Sequence, residues 1–138
     1  MSGILLDTNI LVYSVDHRDP VKQSAALGFV TACIRDRSGV VSTQVLQEFA
    51  AVSVNKLHQD VGVVSRQLVV LESLKIVQVT PDLIRRGLEL CDRYRLNLWD
   101  AAILAAAERA TCDRIWTEDF TTGAVYGSVR IENPFLKP

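Results

Sequence analysis

The fold of this chain is decided by the stretch Leu98-Trp99-Asp100-Ala101-Ala102-Ile103-Leu104-Ala105-Ala106-Ala107. This stretch predicts a helix that is apolar on every side, and such a helix belongs in a protein interior. Its one carboxylate, Asp100, falls in the first turn, and a charge near an interior needs a cationic or hydrogen-bonding partner. One interpretation makes Asn97 the N-cap and Asp100 the acid of a capping box, held by backbone amides and the helix dipole. The other makes Asp100 part of a functional site.

Short apolar runs alternate with helical patterns along the whole chain. The predicted strands cover residues 3–6, 40–41, 75–79, 113–117 and 129–131, and helical patterns separate the first four of them. This alternation predicts an α/β fold with a central parallel sheet of about five strands flanked by helices. With 138 residues, 49% of them hydrophobic, we expect a single domain over residues 1–138. In the helix that begins at Pro81, the spacing predicts a buried face formed by Leu83, Ile84, Leu88, Cys91 and Tyr94.

Four isolated acids follow apolar runs or begin apolar helices. Asp7 and Asp119 fall at the ends of predicted strands, while Glu48 and Asp100 fall on helices that could face the same edge of the sheet. Ligand sites of open parallel sheets lie outside the carboxyl ends of the strands, so the four acids are expected to share one crevice. Each acid also has a purely structural interpretation, as a helix cap or as a solvated helix residue.

Carboxylates that share a crevice repel one another and must be protonated or neutralised by a cation. No Lys or Arg adjoins these acids in the sequence, so a divalent metal is the simplest counter-ion. Ligands that are all oxygen favour Mg²⁺ or Mn²⁺ over zinc. Such an ion suits hydrolysis of a phosphodiester. The Gly-rich phosphate loops and the Ser nucleophile elbow of other phosphate and ester enzymes are missing from the sequence.

The composition narrows the remaining function classes. A formal net charge of −1 excludes a global basic surface for nucleic acid, so a polyanion would be held locally. Three cysteines without metal-ligand spacing and two distant histidines argue against a zinc site and for reduced thiols. The N-terminal apolar run is too short for a signal peptide or a membrane span, so we expect a cytoplasmic protein without a membrane partner.

Four strings in the sequence resemble the motifs of PIN-domain ribonucleases, and specifically the VapC-like toxins of toxin-antitoxin pairs. The strings are Leu6-Asp7-Thr8-Asn9-Ile10-Leu11, Ser42-Thr43-Gln44-Val45-Leu46-Gln47-Glu48-Phe49, Leu98-Trp99-Asp100-Ala101-Ala102-Ile103 and Thr117-Glu118-Asp119-Phe120. They occur in the expected order and span almost the whole chain.

The resemblance implies a metal-dependent endoribonuclease whose acids Asp7, Glu48, Asp100 and Asp119 coordinate Mg²⁺ or Mn²⁺. Asp7 and Asp100 match the acids most firmly tied to the metal. The polar residues Thr8, Asn9 and Thr117 match positions that support the acids. The resemblance also implies a homodimer, an antitoxin protein that blocks the site, and an RNA substrate.

The RNA path is predicted from the arginines that precede the Asp100 helix. Arg93 and Arg95 stand at the end of an arginine-rich helix and are the candidate RNA-binding residues, the alternative being an ordinary solvated face. Three other functions remain open: a catalytically silent PIN-like scaffold that binds RNA or protein, a free-standing RNA-processing nuclease, and a metal-dependent phosphatase acting on a small phosphoester.

Overall fold

A computed structural model describes residues 3–136, which form a six-stranded sheet and six helices. The strands are β1 (Gly3–Leu6), β2 (Gly39–Ser42), β3 (Lys75–Val77), β4 (Cys112–Trp116), β5 (Val125–Tyr126) and β6 (Val129–Glu132). The helices are α1 (Thr8–Tyr13), α2 (Pro20–Arg35), α3 (Thr43–Asn55), α4 (Val61–Leu71), α5 (Pro81–Tyr94) and α6 (Leu98–Arg109).

The sheet has the strand order β3-β2-β1-β4-β6-β5. All neighbouring strands are parallel except β5, which runs antiparallel to β6. The predicted α/β class and the parallel central sheet are confirmed. The strand that the sequence did not predict is β5, because two residues are too few to show an alternating pattern. The strand order places β1 and β4 at the centre of the sheet, so the residues that follow them meet at one edge.

Each helix begins at a side chain that accepts a hydrogen bond from the first turn. The N-caps are Asp7, Asp19, Ser42, Asp60, Thr80 and Asn97, in the order of the helices. Short polar side chains are the preferred caps because their oxygens satisfy amides that have no partner within the helix. Pro20 and Pro81 start α2 and α5, where the missing amide hydrogen costs nothing. Local sequence therefore fixes where the helices start.

The hydrophobic core lies between the sheet and the helices, and α6 packs against the central strands. Residues 103–107 of α6 are all buried, as expected for a helix that is apolar on every side. Its first turn departs from that expectation, since Trp99 remains 66% exposed and Leu98 38% exposed.

The predicted buried face of α5 is partly wrong. The buried residues are Leu83, Gly87 and Leu90, whereas Ile84 and Leu88 are about half exposed. The cause is close packing of α5 on α6, in which Gly87 faces Leu98 and Ala102. Because glycine has no side chain, Gly87 does not contribute to the apolar pattern that predicts a buried helix face. The face predicted for α5 was therefore rotated relative to the face that is buried.

All three cysteines are free thiols, and two of them, Cys33 and Cys112, are buried. Among the helices described for residues 3–136, none is long and apolar enough to cross a membrane.

Candidate active site

The register between β1 and β4 builds the centre of the site. Leu6 pairs with Trp116 at the carboxyl ends of the two parallel strands, so the next residues, Asp7 and Thr117, lie side by side. The backbone amide of Asp7 also donates to the carbonyl of Trp116 over 3.1 Å. Both side chains are buried although each is polar, with Asp7 6% exposed and Thr117 fully enclosed.

Asp7 uses both carboxylate oxygens. Oδ1 accepts from the backbone amide of Thr8 over 2.7 Å, as the cap of α1, and Oδ2 accepts from the Thr117 hydroxyl over 2.8 Å. Burial raises the pKa of Asp7 from its ordinary value of 3.8 to about 6, and the charges of Asp119 and Glu48 add to the rise. The two hydrogen bonds lower the pKa, so burial outweighs them. The site therefore disfavours the ionised form of Asp7, and a positive ion beside it would favour that form.

Glu48 reaches the same centre from α3. Its Oε2 accepts from the Thr8 hydroxyl over 2.7 Å, and its Oε1 accepts from the amide of Gln44 over 3.0 Å. Gln44 lies one helical turn before Glu48, a spacing at which helix side chains meet. Gln44 was not among the predicted site residues, and this spacing is the signal in the sequence that could have indicated it.

Thr117 is the hydrogen-bonding hub of the site. Besides donating to Asp7, its Oγ1 accepts from the backbone amide of Asp119 over 3.0 Å and from the side-chain amide of Asn9 over 3.3 Å. Asp119 is exposed at the start of the loop after β4. Asn9 Oδ1 is buried and accepts no hydrogen bond from the chain between residues 3 and 136. Asn9 therefore leaves one oxygen free beside the acids.

Asp100 approaches from the first turn of α6. Asn97 caps that helix: its Oδ1 accepts from the backbone amide of Asp100 over 2.9 Å, and its Nδ2 donates to Asp100 Oδ2 over 3.0 Å. Asn97 is therefore the predicted N-cap, but the Asp100 carboxylate accepts from the side-chain amide of Asn97 and not from its backbone amide, as a capping box would have it. Partial burial raises the pKa of Asp100, the bond from Asn97 lowers it, and the charge of Asp119 raises it. That last effect connects Asp100 with the group formed by Asp7, Glu48 and Asp119.

Hydrogen bonds through Thr8 and Thr117 connect Asp7, Glu48 and Asp119, whereas Asp100 is connected to them, within the described part of the chain, only by the charge of Asp119. Glu118 does not join them. Glu118 instead pairs with Lys22 and accepts from the Tyr13 hydroxyl over 2.9 Å. Over residues 3–136, no three carboxylate, imidazole or thiol side chains come close enough together to enclose a metal ion. The acids influence one another electrostatically without forming a closed set of ligands.

Arg93 and Arg95 stand exposed at the end of α5, two to four residues before Asn97. Neither forms an ion pair with the described part of the chain, whereas Arg86 pairs with Glu108 over 2.7 Å and with Glu89 over 3.0 Å. Of the arginines of α5 and its end, Arg93 and Arg95 are therefore the two without a carboxylate partner among residues 3–136.

A family model for the PIN domain matches residues 4–125, which include all four acids. The chain belongs to the PIN domain family. Its fold and the order of its motifs agree with that membership. No curated protein matches this PIN domain significantly.

Solved structures provide three relatives of this PIN domain. A chain of a toxin-antitoxin complex from Klebsiella pneumoniae is 26% identical, with a TM-score of 0.72, over 96% of this chain and 98% of that one. VapC20 of Mycobacterium tuberculosis, a toxin that cleaves the sarcin-ricin loop, is 17% identical, with a TM-score of 0.64, over 93% and 99%. VapBC2 from Rickettsia felis, bound to a DNA fragment from its promoter, gives 20% identity and a TM-score of 0.62, over 94% and 96%. The last two similarities concern the fold alone.

Proposed function

We propose that this PIN domain is a metal-dependent endoribonuclease and the toxin of a toxin-antitoxin pair. The observation that carries the proposal is Asp7, a buried carboxylate with a raised pKa that faces two further acids. Burying a carboxylate beside other acids costs free energy beyond what its role as a helix cap requires, and a bound cation would offset that cost. Family membership and the Klebsiella toxin-antitoxin relative support the same conclusion.

The donor chemistry fits a hard divalent cation. Asp7, Glu48, Asp100 and Asp119 offer carboxylate oxygens, and Asn9 adds a buried amide oxygen that accepts no hydrogen bond from residues 3–136. Mg²⁺ and Mn²⁺ prefer such oxygens, and they usually keep several water ligands. Since the acids form no closed ligand set within the described residues, we expect Asp100 and Asp119 to move closer when the ion binds. A bound Mg²⁺ or Mn²⁺ would supply an activated water and charge stabilisation for phosphodiester hydrolysis.

The other polar residues of the site act by orienting the acids. Thr8 and Gln44 hold the two oxygens of Glu48, and Thr117 fixes Asp7. Asn97 holds Asp100 by one oxygen and leaves the other, Oδ1, free of hydrogen bonds from the described chain. Carboxylates fixed in this way lose less conformational freedom when a ligand binds.

We also propose an antitoxin protein and a second copy of this chain as partners. The relative from Klebsiella is a chain of a toxin-antitoxin complex. Large apolar side chains are exposed on several helices, among them Val21, Leu27, Val61, Val69, Val70, Ile84, Leu88, Leu98 and Trp99. Exposed apolar surface of this kind favours protein association. The measured mass of the purified protein in solution tests the dimer.

Cleavage of RNA by the purified protein tests the proposed function. We expect single-stranded or looped RNA to be cut with Mg²⁺ or Mn²⁺ and to stay intact in chelator, because the site residues include no protein nucleophile as a substitute. Asp7→Asn should abolish cleavage. A small phosphate ester offered in parallel separates a nuclease from a phosphatase. Cleavage of the same RNA in chelator would contradict the metal requirement, and binding without cleavage would indicate a silent scaffold.

A further inference from the structure

A cleft of about 300 Å³ opens beside Asp119 and is lined by two cationic side chains. Thr8, Asn9 and Asp119 form the side that belongs to the candidate active site. Arg18 and Lys56 lie among the residues that complete the cleft. Arg18 comes from the loop between α1 and α2, and Lys56 ends α3, so the fold brings together cations that are far apart in the sequence.

Arg18 is held in place by Asp16, a carboxylate only 5% exposed. Its Nε donates to Asp16 Oδ1 over 2.9 Å, and its Nη2 donates to Asp16 Oδ2 over 2.8 Å. The backbone amide of Arg18 donates to the same Oδ1 over 3.0 Å. This forked pairing fixes the plane of the guanidinium, while the side chain remains 64% exposed. Nη1 donates to no group of residues 3–136, so a fixed donor is left for a ligand.

Lys56 is an exposed side chain without an ion-pair partner in the described part of the chain. The carboxylates that share the cleft with these cations are Asp16 and Asp119. Asp16 offsets one positive charge, and Asp119 is a proposed metal ligand. Lys56 therefore keeps a positive charge that no carboxylate of the described residues pairs with, on a chain whose net charge is −1.

We propose that Arg18 and Lys56 bind a backbone phosphate of the RNA strand adjacent to the phosphate that lies at the acids. The inference rests on the proposed nuclease function and assigns a binding site for the RNA backbone. Phosphate contacts dominate the affinity of proteins for nucleic acid, and a guanidinium and an ammonium are their usual donors. A nearly neutral chain with acids at its centre needs a local site of positive charge to bind RNA. Arg18 and Lys56 provide one, and they line the same cleft as Asp119.

The experiment compares Arg18→Gln and Lys56→Gln with two matched controls at the opposite edge of the sheet. Arg35→Gln alters an exposed arginine that also pairs with a neighbouring acid, Asp36, and Lys75→Gln alters an exposed lysine at the start of β3. Binding of a fluorescent single-stranded RNA with non-hydrolysable linkages is measured with Mg²⁺ at several salt concentrations, and cleavage of the unmodified RNA by each variant is measured with Mg²⁺. We expect the two cleft variants to bind RNA more weakly and to raise KM by roughly fivefold. Each should also lower the slope of log K against log salt concentration by about 0.7. The controls should match the wild type, and kcat should change little.

The outcomes separate this inference from the proposed function. If the wild type cleaves RNA and all four variants bind RNA equally, the phosphate site is wrong and the nuclease stands. If the wild type neither binds nor cleaves RNA, both proposals fail together. Because loss of Arg18 leaves Asp16 buried without its partner, melting temperatures are compared as well. Lys56→Gln removes no ion pair within residues 3–136 and should not affect folding. If that variant binds RNA as tightly as the wild type, the proposed phosphate site is wrong, even if Arg18→Gln is destabilised.

Discussion

The hydroxyl of Thr117 donates to Oδ2 of Asp7 over 2.8 Å, although 110 positions separate the two residues in the chain. The bond follows from the parallel register of β1 and β4, which ends both strands at the same level. It joins a fully buried hydroxyl to a carboxylate whose pKa burial raises to about 6. The geometry of the acids therefore depends on the centre of the sheet, and a packing change there reaches the site directly.

Replacing Thr117 by Val tests this dependence. The change keeps the size of the side chain but leaves Asp7, Asn9 and the amide of Asp119 without their shared partner. We expect a loss of roughly 2 kcal/mol in the free energy of unfolding, together with strongly reduced RNA cleavage. Denaturant unfolding and cleavage rates measure the two effects. Thr117→Ser is the matched control and should retain most of both, so a Val variant as stable and active as the Ser variant would refute the role of the hydroxyl.

Asp7 makes the stability of the metal-free protein depend on pH. Because the folded pKa of about 6 lies above the ordinary 3.8, the folded state binds the proton more tightly than the unfolded state. Stability is therefore highest below about pH 4 as far as this group is concerned, and it is lost as pH rises through about 6. The loss attributable to Asp7 is on the order of 2 to 3 kcal/mol. Melting in chelator between about pH 4 and 8 should show a smaller decline in Asp7→Asn than in the wild type, and parallel curves would argue against the raised pKa.

Asp100→Asn distinguishes a metal ligand from a helix cap. Adding Mg²⁺ should raise the melting temperature of the wild type, because an ion that binds only the folded state stabilises it. Asp100→Asn should weaken that response and leave the metal-free fold intact, since the raised pKa of Asp100 indicates that its charge does not stabilise the fold. Asn97→Ala removes the cap itself and should cost about 1 kcal/mol. If Asp100→Asn costs as much as Asn97→Ala and the Mg²⁺ response is unchanged, Asp100 serves only the helix.

The double change Arg93→Ala, Arg95→Ala tests the predicted RNA path at the end of α5. Both side chains are exposed and without ion pairs in the described chain, so the fold should tolerate their removal. We expect a higher KM for RNA and a flatter salt dependence, with the slope falling by about 0.7 for each phosphate that the variant no longer binds, and with metal binding kept. Arg85→Ala, which removes an arginine paired with Asp82 on the same helix, is the control. An unchanged salt slope would assign Arg93 and Arg95 to solvation or to a protein partner.

Much of this protein is determined by local sequence. The caps Ser42, Thr80 and Asn97, the prolines that start α2 and α5, and the apolar runs of β1 and β4 act within a few residues, so patterns in the sequence predict them. The α/β class follows from the order of those elements. The four acids could be singled out because each interrupts an apolar pattern in a short motif that resembles the PIN family.

Tertiary structure alone decided which side chains work together. The hub role of Thr117 requires the register of β1 with β4, and the hydrogen bond from Thr8 to Glu48 joins residues 40 positions apart. The buried face of α5 depends on how closely α6 approaches at Gly87. The cleft that holds Arg18 and Lys56 forms only when the loop after α1 meets the end of α3. These features depend on interactions between distant segments, and the free energy of such interactions is set by packing geometry, which the local pattern of residues does not encode.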